Sequence, residues 1–199
     1  MAMIKLEELE KRGHIEFITG QIFSRMEYRE GCGKNPIGKV EAIPPVALNG
    51  RCYVDAKEKY EIQYISEYKE ERLTQNGDIL IKFSMPYDAA VVTEDAVGLL
   101  VSSFNCIIRP DLDYIDPFYL VAFLNSPLCK RQMAQHVSGA GRPLMTISRF
   151  KELQIKEFSL DEQKQIGTYY QNMAKQQEIF KEMIDTEMKM IESVLGGNE

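Results

Sequence analysis

The chain has 199 residues, which is enough for one ordinary domain with an appended segment. Its 44% hydrophobic and 27% charged residues are typical of a globular protein, and no apolar run approaches the roughly 20 residues of a membrane helix. The first residues lack the basic start and apolar stretch of a signal peptide, which predicts a cytoplasmic protein without membrane attachment. A net charge of −6 argues against a protein that only coats phosphates.

Charge is distributed unevenly along the sequence. Residues 11–59 hold nine Lys and Arg against six Asp and Glu (+3), and residues 130–156 hold six against one (+5). Residues 60–116 hold four against eleven (−7), and residues 159–199 hold four against eight (−4). Two basic segments that converge on one face would provide a surface for nucleic acid. The alternative is a mixed, solvated surface, which composition alone favours.

The sequence offers little material for a metal site or a disulfide framework. The four cysteines are separated by 20, 54 and 23 residues, without the close spacing of a zinc or redox motif, and the chain contains two histidines. We therefore predict reduced thiols and no metal site. The residues concerned are Cys32, Cys52, Cys106, Cys129, His14 and His136.

The first 108 residues predict one short helix and then mainly strands. Residues 4–12 form the helical pattern, which Gly13 ends. Short β-like segments follow, with turn signals at Asn49-Gly50, Asn76-Gly77 and Gly98. The predicted strands include residues 40–43, 60–65, 79–83, 90–93 and 99–102. Their imperfect alternation predicts a curved sheet of short strands rather than a regular sandwich.

Helices dominate the second part of the sequence. Asp116 as N-cap and Pro117 at the first helical position predict a helix that Ser126-Pro127 interrupts, and residues 128–137 predict a second. A glycine-rich loop over residues 138–143 precedes a strand around residues 153–156. The predicted fold class is α+β, with a β-rich domain, packed helices and a long C-terminal helix.

The last segment has the clearest periodicity. Residues 161–195 predict a helix about 52 Å long at 1.5 Å per residue. Apolar residues recur along it at steps of three or four, as a helix–helix seam requires. The stripe consists of Ile166, Tyr170, Met173, Gln177, Phe180, Ile184, Met188, Ile191 and Leu195. We favour pairing with a second helix in an antiparallel coiled coil; the alternative is a helix folded back on the β-rich domain.

No catalytic constellation emerges from the sequence. Asp116-Pro117-Phe118-Tyr119 resembles the Asp-Pro-Pro-Tyr motif of amino-methyltransferases, but the second proline and a Gly-rich cofactor turn are missing. A two-metal nuclease site is not indicated either, because no Glu lies between Asp95 and Glu152. We therefore predict a protein that is not an enzyme.

Several weak motifs occur together in a recognisable order. Gly77-Asp78-Ile79-Leu80 is followed by Leu124-Asn125-Ser126, by the loop Ser138-Gly139-Ala140-Gly141-Arg142, and by the helix opening Leu160-Asp161-Glu162-Gln163. In this order and spacing the chain resembles the specificity (S) subunits of type I restriction–modification systems over nearly its whole length. It departs from that family at Phe158-Ser159, where a proline-rich segment is usual.

The resemblance implies a target recognition domain at residues 1–158 and a conserved spacer helix at residues 159–199. It implies double-stranded DNA, a methyltransferase (modification) subunit and, where present, a restriction subunit as partners. S-adenosylmethionine and ATP would belong to those partners, with no cofactor on this chain. Complete family members carry two recognition domains and two spacer helices, whereas this chain resembles a half-subunit. Pairing of two copies as a homodimer predicts a split target with half-sites one to two helical turns apart; pairing with a separate second half-subunit remains an alternative.

Candidate DNA contacts lie in the loops around the β-rich domain. Arg can read guanine bidentately and Asn can read adenine, whereas Lys mainly neutralises phosphate. The candidates are Thr19, Gly20, Arg25, Arg29, Lys34, Asn35, Arg51, Lys57, Ser84, Tyr87 and Arg142. For each of them the alternative is an ordinary solvated side chain, and for Arg142 a cap on the neighbouring helix. Two other functions remain open: a coiled-coil interaction protein, and a recognition appendage of a DNA adenine methyltransferase.

Overall fold

The computed structural model describes residues 3–136 and 145–196. The strands and α-helices of these residues, in chain order, are β1 (Met3–Lys5), α1 (Leu6–Lys11), β2 (Ile15–Thr19), β3 (Gly38–Ile43), β4 (Tyr60–Tyr64), β5 (Ile79–Lys82), β6 (Ala89–Val91), β7 (Leu100–Val101), β8 (Asn105–Pro110), α2 (Pro117–Asn125), α3 (Pro127–His136), α4 (Ile147–Lys151), β9 (Gln154–Lys156) and α5 (Leu160–Leu195). The predicted α+β class is confirmed, and each predicted strand has a counterpart at or near its expected position.

A four-stranded antiparallel sheet in the order β2–β8–β5–β6 forms the central layer. Successive side chains of a strand point to opposite faces. In β5, Ile79 and Ile81 therefore belong to the core on one face, while Leu80 belongs to the core on the other. In β8, Ile108 belongs to the same core as Ile79 and Ile81, while Ile107 belongs to the core that contains Leu80. Because both faces are covered, these strands carry apolar residues at consecutive positions, which explains the imperfect alternation in the sequence.

Helices cover one face of the central sheet. Leu120 and Leu124 of α2 and Phe150 of α4 are fully buried in the same core as Ile79 and Ile81. Asp116 caps α2, since its carboxylate accepts a hydrogen bond from the Tyr119 backbone N–H at 2.8 Å. The predicted N-cap and the break at Ser126-Pro127 are both confirmed, because α2 ends at Asn125 and α3 begins at Pro127.

A smaller three-stranded sheet, in the order β4–β3–β7, lies on the other side of the domain. Ile43 and Val101 of this sheet share a core with Ile18, Leu80 and Ile107 of the central sheet. Strand β3 pairs antiparallel with β4 and parallel with β7. The domain is therefore layered as helices, central sheet and small sheet.

The two ends of the domain are joined, and here the prediction of a helix over residues 4–12 was partly wrong. Residues Met3–Lys5 form β1, which pairs antiparallel with β9, and the helix begins only at Leu6. Ile4 and Ile155 face each other in this pair and are both buried. The strand partner lies some 150 residues downstream, so the local helical pattern could not reveal it.

Helix α5 begins directly after β9. Ser159 is its N-cap and forms a capping box with Glu162, in which each side chain bonds to the other residue's backbone N–H. The helix spans 36 residues, or about 54 Å at 1.5 Å per residue. The segment Phe158-Ser159, singled out in the sequence, thus supplies the N-cap of this helix.

Candidate nucleic-acid interface

Three turns leave the central sheet at the same end. One row of paired residues crosses the sheet from strand to strand, and it consists of Thr19, Cys106, Ile81 and Ala89. The turns after β2, before β8 and between β5 and β6 all lie beyond this row. Of the predicted DNA contacts, Thr19, Ser84 and Tyr87 lie at this end, and Thr19 is exposed.

The turn between β5 and β6 is held by contacts with α3. The Lys130 ammonium donates to the Pro86 carbonyl at 2.6 Å and also to the Tyr87 carbonyl. Burial lowers the pKa of Lys130, an effect that the Asp88 carboxylate at 3.6 Å opposes. Tyr87 adopts a φ of +58° and is buried. The side chain of Tyr87, which the sequence suggests as a DNA contact, therefore has little exposed surface.

Exposed apolar side chains mark this end of the domain instead. Met85 is 71% exposed in the turn that follows β5, and Phe104 is 63% exposed in the turn before β8. The two turns are adjacent, because the Phe83 N–H donates to the Phe104 carbonyl at 3.1 Å. Ser84, between Phe83 and Met85, is half-buried. Nothing local in the sequence distinguishes Met85 and Phe104 from the apolar residues of the core.

Gly20 is packed inside the domain and is not exposed at its surface. It is buried, and a Cβ at this position would collide with the backbone carbonyl of Ser102. The Gly20 N–H donates to the Asn105 carbonyl at 3.3 Å. The expectation that Gly20 contacts DNA is therefore not supported by its position; a glycine is required here for close approach of two backbone segments.

A second group of candidates borders the small sheet. Arg25, Arg29, Lys34 and Asn35 are all exposed. Their segment runs along β4, because the Tyr28 N–H donates to the Gln63 carbonyl and the Ile37 N–H to the Tyr64 carbonyl, both at 2.8 Å. The structure thus brings four of the predicted contacts to one edge of the small sheet.

Arg51 and Lys57 lie elsewhere. The Arg51 guanidinium is 3.3 Å from the carboxylate of Glu178 on α5 and 3.7 Å from that of Asp55. Lys57 is exposed, and its backbone N–H is capped by the Asp55 carboxylate at 3.3 Å. Arg51 therefore faces the long helix rather than the edge that carries Arg25 and Arg29.

The basic segment at residues 130–156 is partly neutralised within the chain. Lys151 is 2.6 Å from Glu10, and Lys130 contacts Asp88 as described above. Arg131 remains exposed. Arg142, the candidate in the glycine-rich loop, lies outside the described residues. The net charge of +5 thus overstates the positive surface that this segment presents.

The Gly-Asp-Ile-Leu motif is explained by a buried ion pair that sequence reasoning missed. Asp78 is 1% exposed, and Arg109 of β8 donates to its two carboxylate oxygens from Nε and from a terminal nitrogen, both at 2.8 Å. Arg109 also donates to the Leu73 carbonyl at 3.1 Å, and the bidentate contact raises its pKa. Gly77 adopts a φ of +85° just before this pair. The motif therefore fixes the centre of the domain rather than touching DNA.

The start of α5 is docked on the domain through a buried glutamine. The Gln163 side chain accepts from the Asp116 N–H at 3.1 Å and donates to the Tyr114 and Phe158 carbonyls at 3.0 and 3.1 Å. It is 4% exposed. In the motif Leu-Asp-Glu-Gln, Glu162 thus completes the cap, and Gln163 ties the helix to the segment that precedes α2.

Gly167 permits close approach of α5 to the N-terminus of α2. A Cβ here would collide with the Asp116 carboxylate and lie 3.0 Å from the Phe118 Cβ. One turn further along α5, the Tyr170 hydroxyl accepts a hydrogen bond from the Asn125 side-chain amide at 2.8 Å. The Asn125 side chain also donates to the Ala89 carbonyl and accepts from the Ala89 N–H. A glycine inside a helix is unfavourable by itself, so its presence at 167 was an unused signal of tight packing.

The apolar stripe of α5 is divided between two environments. Ile166 and Tyr170 are half-buried and pack against the core beneath the helices. From Met173 onward the predicted seam is exposed, as Phe180 (63%) and Ile184 (59%) illustrate. The same holds for Gln177, Met188, Ile191 and Leu195. The pairing assigned to Ile166 and Tyr170 is therefore corrected in part, because these two are already covered by their own domain.

Within residues 3–136 and 145–196, no cluster of three or more His, Cys, Asp or Glu side chains is arranged to hold a metal ion. In the same residues, no helix is both long and apolar enough to cross a membrane. Asp116, which begins the methyltransferase-like tetrapeptide, is occupied as the N-cap of α2. Its presence is therefore explained without any chemistry.

The sequence matches no family model and no curated protein. The fold, however, is similar to solved structures. A chain from a type I R-M system, solved to define complex assembly and conformational transition, aligns with a TM-score of 0.61 at 16% identity, covering 97% of this chain and 44% of that chain. The HsdS subunit from Thermoanaerobacter tengcongensis aligns with a TM-score of 0.58 at 16% identity, and the alignment covers 97% of this chain and 43% of that subunit. The type I restriction–modification S subunit from M. genitalium aligns with a TM-score of 0.53 at 12% identity, and the alignment covers 98% of this chain and 44% of that subunit.

These alignments include both the layered domain and helix α5, because they cover nearly all of this chain. The chain spans less than half the length of each of the three solved chains. The chain therefore has the fold of type I specificity subunits, over a length that corresponds to about one half of such a subunit.

Proposed function

We propose that this chain is a sequence-specific DNA-binding half of a specificity subunit, which directs a methyltransferase and, where present, a restriction subunit to a bipartite site. The observation that carries the proposal is the combination, in one chain, of the layered domain and a docked helix whose outer part exposes a regular apolar stripe. The similarity of this whole arrangement to solved S subunits supports it. Catalysis, S-adenosylmethionine and ATP would belong to partner chains.

The DNA contacts would come from exposed polar side chains in loops. In this proposal Arg25 and Arg29 read guanine or contact phosphate, Asn35 reads adenine, and Lys34 neutralises phosphate. Thr19 is an exposed candidate at the end of the central sheet. The acidic total charge fits this role if partner subunits supply further positive surface, because affinity for DNA depends strongly on phosphate neutralisation.

The exposed part of α5 would pair with a second helix of the same kind. From residue 172 to residue 195 it measures about 36 Å at 1.5 Å per residue. A two-fold axis across such a pair would set two recognition domains at opposite ends of a rod, so the bound DNA would have two half-sites with an unread spacer. A second copy of this chain or a separate half-subunit could supply the partner helix.

Selection of bound duplexes from a random library tests the proposal. The expected result is a split motif with a fixed spacer, whose binding weakens as salt rises. Arg25→Ala and Arg29→Ala should each reduce specific affinity, by about 1–3 kcal/mol where a bidentate base contact is lost. Arg12→Ala is the matched control, since Arg12 is exposed, precedes β2 at the other end of the sheet and pairs with Glu157 at 2.8 Å. A wild-type chain that enriches no sequence would refute the function.

A second candidate is a coiled-coil interaction protein without DNA preference. The continuous exposure of apolar residues from Met173 to Leu195 favours it, because such a stripe requires a partner whatever the domain does. The same selection separates the two functions. The interaction protein would self-associate or bind a helical partner and would enrich no DNA sequence.

A further inference from the structure

Helix α5 carries a second row of residues, distinct from its apolar stripe. Gln163, Gly167, Gln171 and Glu178 fall within an arc of about 80° at 100° per residue. All four contact the recognition domain. The stripe that continues through Phe180 and Ile184 lies about 100° away around the helix by the same geometry. One face of the helix therefore docks on its own domain, while another face remains available for pairing.

The outer contacts of this row are made by one loop, residues 49–55, which we call the brace loop. The Tyr53 hydroxyl donates to the Gln171 side-chain oxygen at 3.3 Å, and Arg51 lies 3.3 Å from Glu178. The brace loop is anchored to the domain, because Tyr53 forms a β-bridge with Val91 of β6. The Tyr53 ring also packs edge-on against Phe118 at 5.6 Å between ring centroids.

The contacts of the brace loop extend the docked length of the helix. Gln163 and Gly167 fix only the first two turns, whereas Glu178 lies 15 residues beyond Gln163, or about 22 Å along the axis. A rod held at two points this far apart has a defined direction. A rod held only at its base can tilt about that base.

We propose that Arg51 and Tyr53 are positioning residues: the brace loop sets the direction of the spacer helix and thereby the spacing between half-sites that the protein accepts. This inference rests on the proposed function. From its base at Gly167 to residue 195 the helix is about 42 Å long. A tilt of about 5° about that base moves its end by roughly 3.4 Å, the rise of one base pair. A tilt of the helix by a few degrees therefore corresponds to a change of one base pair in the spacing between half-sites.

The proposal gives Arg51 a role other than the DNA contact suggested by the sequence. The two roles differ in what Glu178 does. If Arg51 positions the helix, then removing Glu178 has the same consequence as removing Arg51, and removing both adds nothing further. If Arg51 binds DNA, its loss lowers affinity and the salt dependence of binding, and the loss of Glu178 does neither.

The first test repeats the duplex selection with Glu178→Ala, Arg51→Ala and the double variant, each in the full chain. The expected result is unchanged half-site sequences with a broader distribution of spacer lengths. An exposed ion pair changes an equilibrium constant by roughly two- to five-fold, so the preference for the best spacer over neighbours one base pair away should fall by that factor. Arg51→Lys keeps the pair and should retain the wild-type preference. Unchanged spacing in all variants, or a loss of affinity confined to Arg51→Ala, would overturn the proposal.

The second test does not depend on DNA. Spin labels on Glu16→Cys in β2 and Lys189→Cys in α5, in a Cys32→Ser background, report the distance between domain and helix. Glu16 and Lys189 are exposed, whereas Cys52, Cys106 and Cys129 are buried. In labelled protein diluted with unlabelled chain, we expect one narrow distance that broadens equally in Glu178→Ala and Arg51→Ala. Equal widths in wild type and both variants would refute the brace even if the selection finds a DNA motif. A broadened distance with no selected motif would retain the brace and refute its link to spacing.

Discussion

Two parts of one helix differ in how they are stabilised. We call residues 160–171 of α5 the docked segment and residues 172–195 the projecting segment. The docked segment buries Gln163 and Gly167 and half-buries Ile166 and Tyr170. In the projecting segment, the large apolar residues from Met173 onward are all exposed to about half or more of their surface. The same periodic pattern of apolar residues thus runs through two different environments.

The difference teaches that an apolar stripe does not by itself identify the face that a domain covers. What distinguishes the docked segment is a buried glutamine with three part-buried hydrogen bonds and a glycine at a close approach. These contacts are directional or steric, so they fix position as well as adding stability. The projecting segment keeps the ion pair between Glu178 and Arg51 and otherwise exposes a surface suited to another helix.

The strongest way to break the docked segment is to remove the Gln163 amide. Gln163→Leu leaves the Asp116 N–H and the Tyr114 and Phe158 carbonyls without their partner in a buried site. Such groups are costly to leave unsatisfied, so we expect the free energy of unfolding to fall by about 2–4 kcal/mol. Urea denaturation measures this. Gln165→Leu, at an exposed position in the same turn, should change it by about 0.5 kcal/mol or less. Equal effects of the two changes would contradict the docked arrangement.

A single methyl group tests the close approach at Gly167. Gly167→Ala would improve helix propensity by roughly 1 kcal/mol at a free position. Here the new Cβ collides with the Asp116 carboxylate that caps α2, and overpacking of this kind costs about 1–3 kcal/mol. We expect a net loss of about 1–2 kcal/mol with the cap disturbed. Thr168→Ala, on the exposed side of the same turn, should be neutral or slightly stabilising. Stabilisation by Gly167→Ala would show that α2 and α5 are further apart.

The projecting segment should respond in the opposite way. Ile184→Glu places a charge in the exposed stripe, and we expect little change in the free energy of unfolding of the domain, within about 0.5 kcal/mol. Association through the helix should weaken about tenfold or more, equivalent to roughly 1.4 kcal/mol. Sedimentation across a range of protein concentrations measures the second effect. Lys181→Glu, a charge change off the stripe, is the control. A large loss of domain stability in Ile184→Glu would mean that the projecting segment packs on its own chain.

Local signals predicted much of the fold. Asp116 with Pro117 marked the start of α2, glycines 50, 77 and 98 marked turns that adopt positive φ, and the long periodic run marked α5. These features depend on neighbouring residues alone. Signals that join distant segments were not predictable in this way. The pairing of Met3–Lys5 with Gln154–Lys156 and the Asp78–Arg109 ion pair both require knowledge of what lies across the fold.

The candidate site was predicted less well than the fold. Exposure could be inferred for Arg25, Arg29 and Lys34 from their polar, glycine-containing segment, and they are exposed. Tyr87 and Gly20, which the sequence also suggested as DNA contacts, are buried, because a residue in a turn can be buried when the turn is covered by another element. Arg51 carried no sign that it faces a helix 127 residues downstream. The capping box at Ser159 and Glu162 was readable from the sequence but was not used.

That capping box gives the smallest and most local prediction for the docked segment. Hydrogen bonds from the Ser159 hydroxyl and backbone N–H lower the pKa of the Glu162 carboxyl. The pKa of Glu162 is thus lower in the folded protein than in the unfolded chain, where it is near 4.5. The ionised carboxylate therefore stabilises the helix fully at pH values above the unfolded pKa, and this stabilisation is lost as the pH falls through the folded pKa. Titration of the Glu162 carboxyl carbon by NMR should therefore give a midpoint below that of the same residue in Ser159→Ala, which lacks the hydroxyl. Because Glu162 lies at the surface and is only partly covered, the change in overall stability should be slight. Protection of the first α5 amides should weaken in acid, while the projecting segment is unaffected. Identical midpoints in the two proteins would mean that the cap does not form in solution.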